Sequence, residues 1–121
     1  MIKTLIHPLL YGVLLFSALF ISTPINAANL NRGRALVERG TCAACHGKDL
    51  KTPVSADYPK LAGQHADYLY VAMRAYQNGG HSIIGRKNPI MAAQMQNFSQ
   101  RDLRDIAAYI ESLPGDLVLK K

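Results

Sequence analysis

Cysteine is scarce in this chain: there are two, Cys42 and Cys45, in 121 residues. A disulfide framework is therefore excluded, and a bridge between these two would close a ring too small to constrain the unfolded chain. Also missing is any alternation of apolar and polar residues long enough to be a strand, so sheet-based folds have no footing. There are no internal repeats and no low-complexity tract. No cluster of basic residues interleaved with aromatics appears, which argues against a nucleic-acid partner. Acidic residues are few, 8 against 14 Lys and Arg, giving a formal net charge of +6. A moderately basic surface of this kind suits an acidic protein partner or membrane headgroups.

The N-terminus opens Met1-Ile2-Lys3, runs apolar from Leu9 to Ile21, and reaches Ser22-Thr23-Pro24-Ile25-Asn26-Ala27-Ala28. A positive start, a short apolar stretch and a small-residue site make a secretory signal peptide, with cleavage expected after Ala27. The apolar stretch is shorter than the ~20 residues that span a bilayer, and His7, Pro8 and Gly12 interrupt its upstream side. A membrane anchor is the less favoured reading. The chain thus divides into a cleavable leader, 1–27, and one small domain, 28–121. Only Lys3 among the charged residues leaves with the leader. Export would place the domain in the periplasm of a bacterium. So short a domain buries a thin core unless something else adds to it.

Both cysteines fall in Cys42-Ala43-Ala44-Cys45-His46-Gly47. This is C-x-x-C-H, the attachment signal for a c-type haem. Two thiols at this spacing can add to the two vinyl groups on one edge of a porphyrin. His46 then lies under the iron and can offer a neutral imidazole nitrogen. Three other chemistries use similar residues. A thioredoxin-like dithiol should follow a strand in a strand–helix alternation, and none exists. A zinc site would need Cys42, Cys45, His46 and either His65 or His81, without the second ligand pair that structural zinc sites show. A disulfide would staple almost nothing. An exported protein whose only two cysteines are spaced for haem is informative, because covalent attachment in bacteria takes place outside the cytoplasm.

Helical periodicity appears three times. The first pattern runs from about Arg32 to Ala44 with Asn31 as N-cap, and Gly33 leaves a flat spot for close approach of another helix. The second spans about His65 to Gln77, with Leu69, Ala72, Met73 and Tyr76 on one face and Gly79-Gly80 beyond its end. The third starts at Ser99, where Ser99-Gln100-Arg101-Asp102 forms a capping box with Asp in place of Glu. Leu103, Ile106, Ala107, Ile110 and Leu113 make its stripe, and Pro114-Gly115 stops it. Between these lie two long loops, Gly47 to Gly63 and Asn78 to Asn97. Loops of that length have a job in a compact domain, and wrapping a flat prosthetic group is one.

Iron held by His46 needs a partner on its other face. Met73 sits on the apolar face of the second helix and reads as core. Met91 and Met95 lie in the second loop, one helical turn apart, so a short helix there would present both on one side. Met91 follows Asn88-Pro89-Ile90 and is the preferred ligand. His65 and His81 read as solvated histidines.

These residues resemble the class I cytochrome c family over the whole of 28–121. The resemblance is nearest to the bacterial periplasmic group that includes dihaem cytochromes of the "four" type, of which this would be a single-haem half. It is carried by Gly33 and Val37 ahead of Cys42-Ala43-Ala44-Cys45-His46-Gly47, by Tyr58-Pro59-Lys60-Leu61-Ala62-Gly63-Gln64 with Tyr68-Leu69, by Met91, and by Ser99 to Leu113. It implies an all-α fold of three main helices and long loops around one haem c attached through Cys42 and Cys45. It implies His46 and Met91 as axial ligands, Pro59 offering its carbonyl to His46, and Gly33 and Val37 meeting Ile106 and Tyr109. The family's first helix often has an aromatic where Val37 stands.

The function implied is a periplasmic one-electron carrier, not an enzyme, with redox proteins, acidic or membrane-bound, as partners and no small-molecule substrate. The alternatives are a haem subunit of a larger dehydrogenase or oxidase, and a catalytic or sensory haem protein with an open sixth site.

Overall fold

The protein was analysed as a computed structural model that describes residues 27–79 and 86–116. Residues 1–26 of the expected leader, and His81, lie outside the described residues. Within these there are five helices and no strand: α1 (Leu30–Arg39), α2 (Ala43–His46), α3 (Ala66–Gln77), α4 (Pro89–Met95) and α5 (Gln100–Glu111). The fold is all-α, as expected, with α1, α3 and α5 as the longer helices.

Helix α5 forms where its signals stand. The Ser99 hydroxyl accepts from the Asp102 N–H at 3.2 Å, and the Asp102 carboxylate accepts from the Ser99 N–H at 2.8 Å. This reciprocal box satisfies two donors that a helix start otherwise leaves open. Leu103, Ile106, Ala107 and Ile110 are buried, and Leu103 is fully so. Helix α3 begins one residue after the expected start, with His65 as N-cap, and ends at Gln77 as expected.

Helix α1 departs from the sequence reading at both ends. Its cap is Asn29, not Asn31: the Asn29 side chain accepts from the Arg32 N–H at 2.9 Å. A contact distant in sequence selects it, because the Asn29 N–H donates to Asp105 Oδ1 at 2.9 Å. The helix stops at Arg39 rather than running to Ala44. Gly40 packs against the Phe98 ring and Thr41 takes φ 52°, so the chain breaks and re-aims before the two cysteines.

The crossing of α1 on α5 is close. A Cβ added at Gly33 would stand 2.1 Å from the Asp105 carbonyl oxygen and 2.8 Å from Tyr109 Cβ. Only a glycine lets one backbone rest on the other here. The Arg32 guanidinium reaches across to Asp102 with one nitrogen and to Asp105 with another. Asp105 is buried, and this pairing together with the Asn29 N–H answers its charge. Val37 and Ile106 share the core cluster beneath.

The loop expected from Asn78 to Asn97 contains α4, seven residues long. Asn88 caps it, accepting from the Met91 N–H at 3.0 Å, and Pro89 stands in its first turn. Gln77, the last residue of α3, holds its far end. The Gln77 amide donates to the carbonyls of Met95 and Phe98, at 2.7 Å each, and the Gln96 amide donates to the Gln77 carbonyl at 2.9 Å.

Candidate haem-binding site

The C-x-x-C-H stretch folds as a single helical turn with Cys42 as its N-cap. Residues three and four apart share a helix face, so Cys42, Cys45 and His46 point the same way. The His46 N–H donates to the Cys42 carbonyl at 3.0 Å, and Gly47, at φ 86°, ends the turn. A Cβ at Gly47 would stand 1.9 Å from the Thr52 carbonyl oxygen, so the following loop can fold back only over a glycine. Asp49 locks that loop, accepting from the backbone N–H groups of Lys51 at 2.9 Å and Thr52 at 2.7 Å and from the Thr52 hydroxyl at 2.8 Å. These donors hold the Asp49 carboxyl down to about 2. Leu50, buried at φ 55°, then accepts from the N–H groups of Leu61 and Ala62. That pairing brings Pro59 back over the histidine.

His46 Nδ1 lies 2.9 Å from the Pro59 carbonyl oxygen. A carbonyl only accepts, so Nδ1 carries the proton and Nε2 is left with a free lone pair. The imidazole is 5% exposed, and the Tyr58 ring meets it edge-on at 6.1 Å. Neither cysteine is bridged. Burial pushes the Cys42 thiol above its ordinary range, the reverse of what an exchanging dithiol needs.

In front of these groups is a cavity of about 430 Å³, within the range of small-molecule and cofactor sites. Cys42, Cys45 and His46 form one wall. Met91 and Met95 of α4 and Met73 of α3 contribute thioethers to the lining. Met95 and Met73 are buried and Met91 is partly so. Both α4 methionines face the cavity, so the sequence expectation that a short helix would present the pair together is met. Met73, expected as core, is in the core cluster and on the cavity wall at once. His65 is exposed, with Nδ1 3.6 Å from a Glu111 carboxylate oxygen, and does not line the cavity. It therefore does not complete a zinc site with the cysteines. Gln77 had no role in the sequence reading. Its signal is weak, one polar residue at the end of an apolar helix face.

Two free thiols three residues apart, an imidazole with its outer nitrogen already satisfied, and an apolar cavity before them define a c-type haem protein. Residues 30–114 match the cytochrome c family, and the chain belongs to it. The family binds haem c covalently and carries electrons, and Cys42 and Cys45 stand at the spacing of its attachment site.

Among its relatives is cytochrome c-554(548) of Halomonas halodenitrificans, 41% identical over 60% of this chain and 84% of the relative. Cytochrome c4 of Pseudomonas aeruginosa is 39% identical over 59% of this chain and 32% of the relative. A protein of Stutzerimonas stutzeri named thiosulfate dehydrogenase electron acceptor is 32% identical over 91% of this chain and 49% of its own length. The crystal structure of reduced cytochrome c4 from Pseudomonas stutzeri superposes with a TM-score of 0.65 at 35% identity, covering 75% of this chain and 48% of that one. The chain therefore spans about a third to a half of the longer relatives and most of the c-554(548).

Proposed function

We propose that this protein is a periplasmic one-electron carrier whose haem iron is held by His46 on one face and Met91 on the other. The observation that carries this reading is the hydrogen bond of His46 to the Pro59 carbonyl, 2.9 Å, on the wall of a cavity that Met91 also lines. When bound, the haem supplies a ferric–ferrous couple. The chain's own residues set the conditions for it. The Pro59 carbonyl fixes the His46 tautomer and orients the ring, as outer partners of ligating histidines do. The Asn88 cap and the Gln77 clasp hold both ends of α4 and so fix where the methionines stand. Methionine favours a higher potential than a second histidine. A sixth position filled by a protein sulfur leaves no place for a substrate.

Export rests on the leader of residues 1–27, and the site of haem attachment in bacteria agrees with it. Among the described residues no helix is long and apolar enough to cross a membrane. The partners proposed are redox proteins, with a dehydrogenase as donor, in keeping with the name of the Stutzerimonas stutzeri relative. The test is spectroscopic. Oxidised wild-type protein should show the weak long-wavelength charge-transfer band of methionine–ferric haem, and Met91→Ala should abolish it with haem still attached. A high-spin spectrum in the wild type that responds to carbon monoxide would overturn the carrier reading in favour of an open sixth site.

A further inference from the structure

Arg74 and Gln77 sit about one turn apart at the end of α3, and both are half-buried. Arg74 Nη1 donates to the Gln77 side-chain oxygen at 2.7 Å. A guanidinium has donors only, so this contact decides which way the Gln77 amide faces. The oxygen turns to Arg74 and the amide nitrogen turns to α4. Both of its hydrogens are used there, on the Met95 and Phe98 carbonyls at 2.7 Å each. In return the Gln96 amide donates to the Gln77 backbone carbonyl at 2.9 Å. The ends of α3 and α4 thus answer one another's open carbonyls, groups that a helix terminus leaves without partners. Arg74 is the basic residue in the last turn of α3, and α4 has none of its own. Through Gln77, one cation serves two carbonyl-rich helix ends, where positive charge is favoured.

This clasp is the polar attachment of α4 to the rest of the domain. The Asn88 cap is internal to the segment, since it accepts from the Met91 N–H three residues on. Among the described residues, every hydrogen bond from residues 89–98 to another helix runs through Gln77. Met91 and Met95, two thioethers of the cavity lining, stand on this segment. A tethered ligand competes with a free one through its effective concentration, which falls when the element carrying it is loosened. The competition is closest in the ferric state, because methionine raises the potential and so favours ferrous over ferric iron.

We propose that Arg74 and Gln77 are positioning residues for the sixth ligand: Arg74 fixes the orientation of the Gln77 amide, and the fixed amide keeps the α4 thioether on ferric iron against small nitrogenous ligands. The proposal rests on the reading that an α4 methionine ligates the iron, and it holds for Met91 and Met95 alike.

The experiment titrates ferric holoprotein with imidazole, following the methionine band, in wild type, Gln77→Glu, Arg74→Met and Arg74→Lys. Gln77→Glu keeps the shape and the pairing with Arg74, but sets an oxygen against two carbonyls where two donors stood. Imidazole should bind it about tenfold more tightly than wild type, the scale of a lost hydrogen bond or two. Arg74→Met keeps the apolar stem and the helix propensity, places no charge near the carbonyls, and frees the amide to turn over. A smaller gain, about three- to fivefold, is expected there. Arg74→Lys retains a donor for the Gln77 oxygen and should return most of the way to wild type. A second measurement heats each ferric protein and follows the band and the helical circular dichroism together. In Gln77→Glu and Arg74→Met the band should be lost further below helix unfolding than it is in wild type. Wild-type imidazole affinity in both variants, with the band present throughout, would overturn this proposal alone. So would a band and a helix signal that fall by the same number of degrees, since that is a loss of general stability. Arg74→Lys behaving as Arg74→Met does would overturn the orienting role of Arg74. Absence of the methionine band in wild type would overturn the ligation reading and this proposal with it.

Discussion

The two ends of this small domain are held together by different means. Where α1 crosses α5, the chain packs directly on itself: backbone rests on backbone at Gly33, Arg32 bridges Asp102 and Asp105, and Leu36, Val37, Leu103 and Ile106 pack together in the core. Between α2, α3, α4 and the Ile106–Ile110 face of α5 the chain encloses a cavity of about 430 Å³. There the side chains line a common cavity, and hydrogen bonds accepted by Pro59 and Asn88 and donated by Gln77 hold the walls in position. One half is a helix pair in direct contact, sharing its core with Leu69 and Met73 of α3. The other is a frame shaped to a haem, whose apolar lining would make its contacts with the porphyrin.

The largest test of this contrast removes the haem. Cys42→Ala with Cys45→Ala should abolish haem retention in denaturing electrophoresis, where the wild type should keep its haem. The apoprotein should lose helicity and cooperativity, because a domain of this size with an open cavity has too thin a core. Hydrogen exchange should become fast in α3 and α4 and stay slowest in α1 and α5. A sharp thermal transition in apoprotein, equal to that of holoprotein, would sink the distinction between the halves.

The next test acts on the iron alone. Met91→Ala should lower the potential by a sizeable part of the ~0.8 V over which axial ligands tune haem, with haem still attached. Met95→Ala should cost stability, about 2–5 kcal/mol for a buried methionine, and leave the methionine band in place. Met73→Ala should behave as Met95→Ala does. Loss of the band in Met95→Ala with its retention in Met91→Ala would move the ligand one helical turn along α4.

How much of this was legible beforehand differs between the halves for a physical reason. The motif Cys42 to Gly47, helix α3 and helix α5 with its capping box rest on local chemistry, and all were readable to within a residue or two. The errors came where distant contacts decide. Asn29 and Asn31 are equally good caps by residue type, and it is the Asp105 carboxylate, across the crossing, that selects Asn29. The break after Arg39 depends on Phe98 packing on Gly40, which no window of sequence contains. Helix α4 was expected only as a short helix bearing Met91 and Met95; its cap stood in plain view, Asn88 with Pro89 following, but seven residues are too few for a period to fix its ends. The Arg32 bridge had one signal, two aspartates three apart on an apolar helix, Asp102 and Asp105. Only the fold shows that they meet the same arginine.

A further substitution sharpens the contrast from the other side. Gly33→Ala puts a methyl group where the Asp105 carbonyl stands at 2.1 Å. The helices must separate, at a cost of about 1–3 kcal/mol or more. Thermal or denaturant unfolding of holoprotein would measure this. The potential and the methionine band should be unchanged, because the cavity lining does not include Gly33. A shifted potential would mean that the crossing and the cavity move together.

The smallest effects concern acid, and they divide along the same line. In the crossing, burial of Asp102 pushes its pKa up, but the Ser99 hydroxyl and N–H and the Arg32 charge outweigh this and leave it below the ordinary 3.8. In the loop after Gly47, the Lys51 and Thr52 N–H groups hold Asp49 down to about 2. Both carboxyls are more acidic folded than unfolded. Each therefore contributes stability that is present above about pH 4 and is lost as pH falls through the folded value. Asp49→Asn should flatten the loss of stability between pH 4 and 2 and speed amide exchange in the loop after Gly47, with α1 and α5 unaffected. Asp102→Asn should flatten the same slope while loosening the start of α5 and its hold on Arg32. Amide exchange measured residue by residue from pH 5 down to pH 2 separates the two. If both variants loosen the same amides, acid opens the domain as one unit, and the division into a directly packed crossing and a frame around haem does not extend to its unfolding.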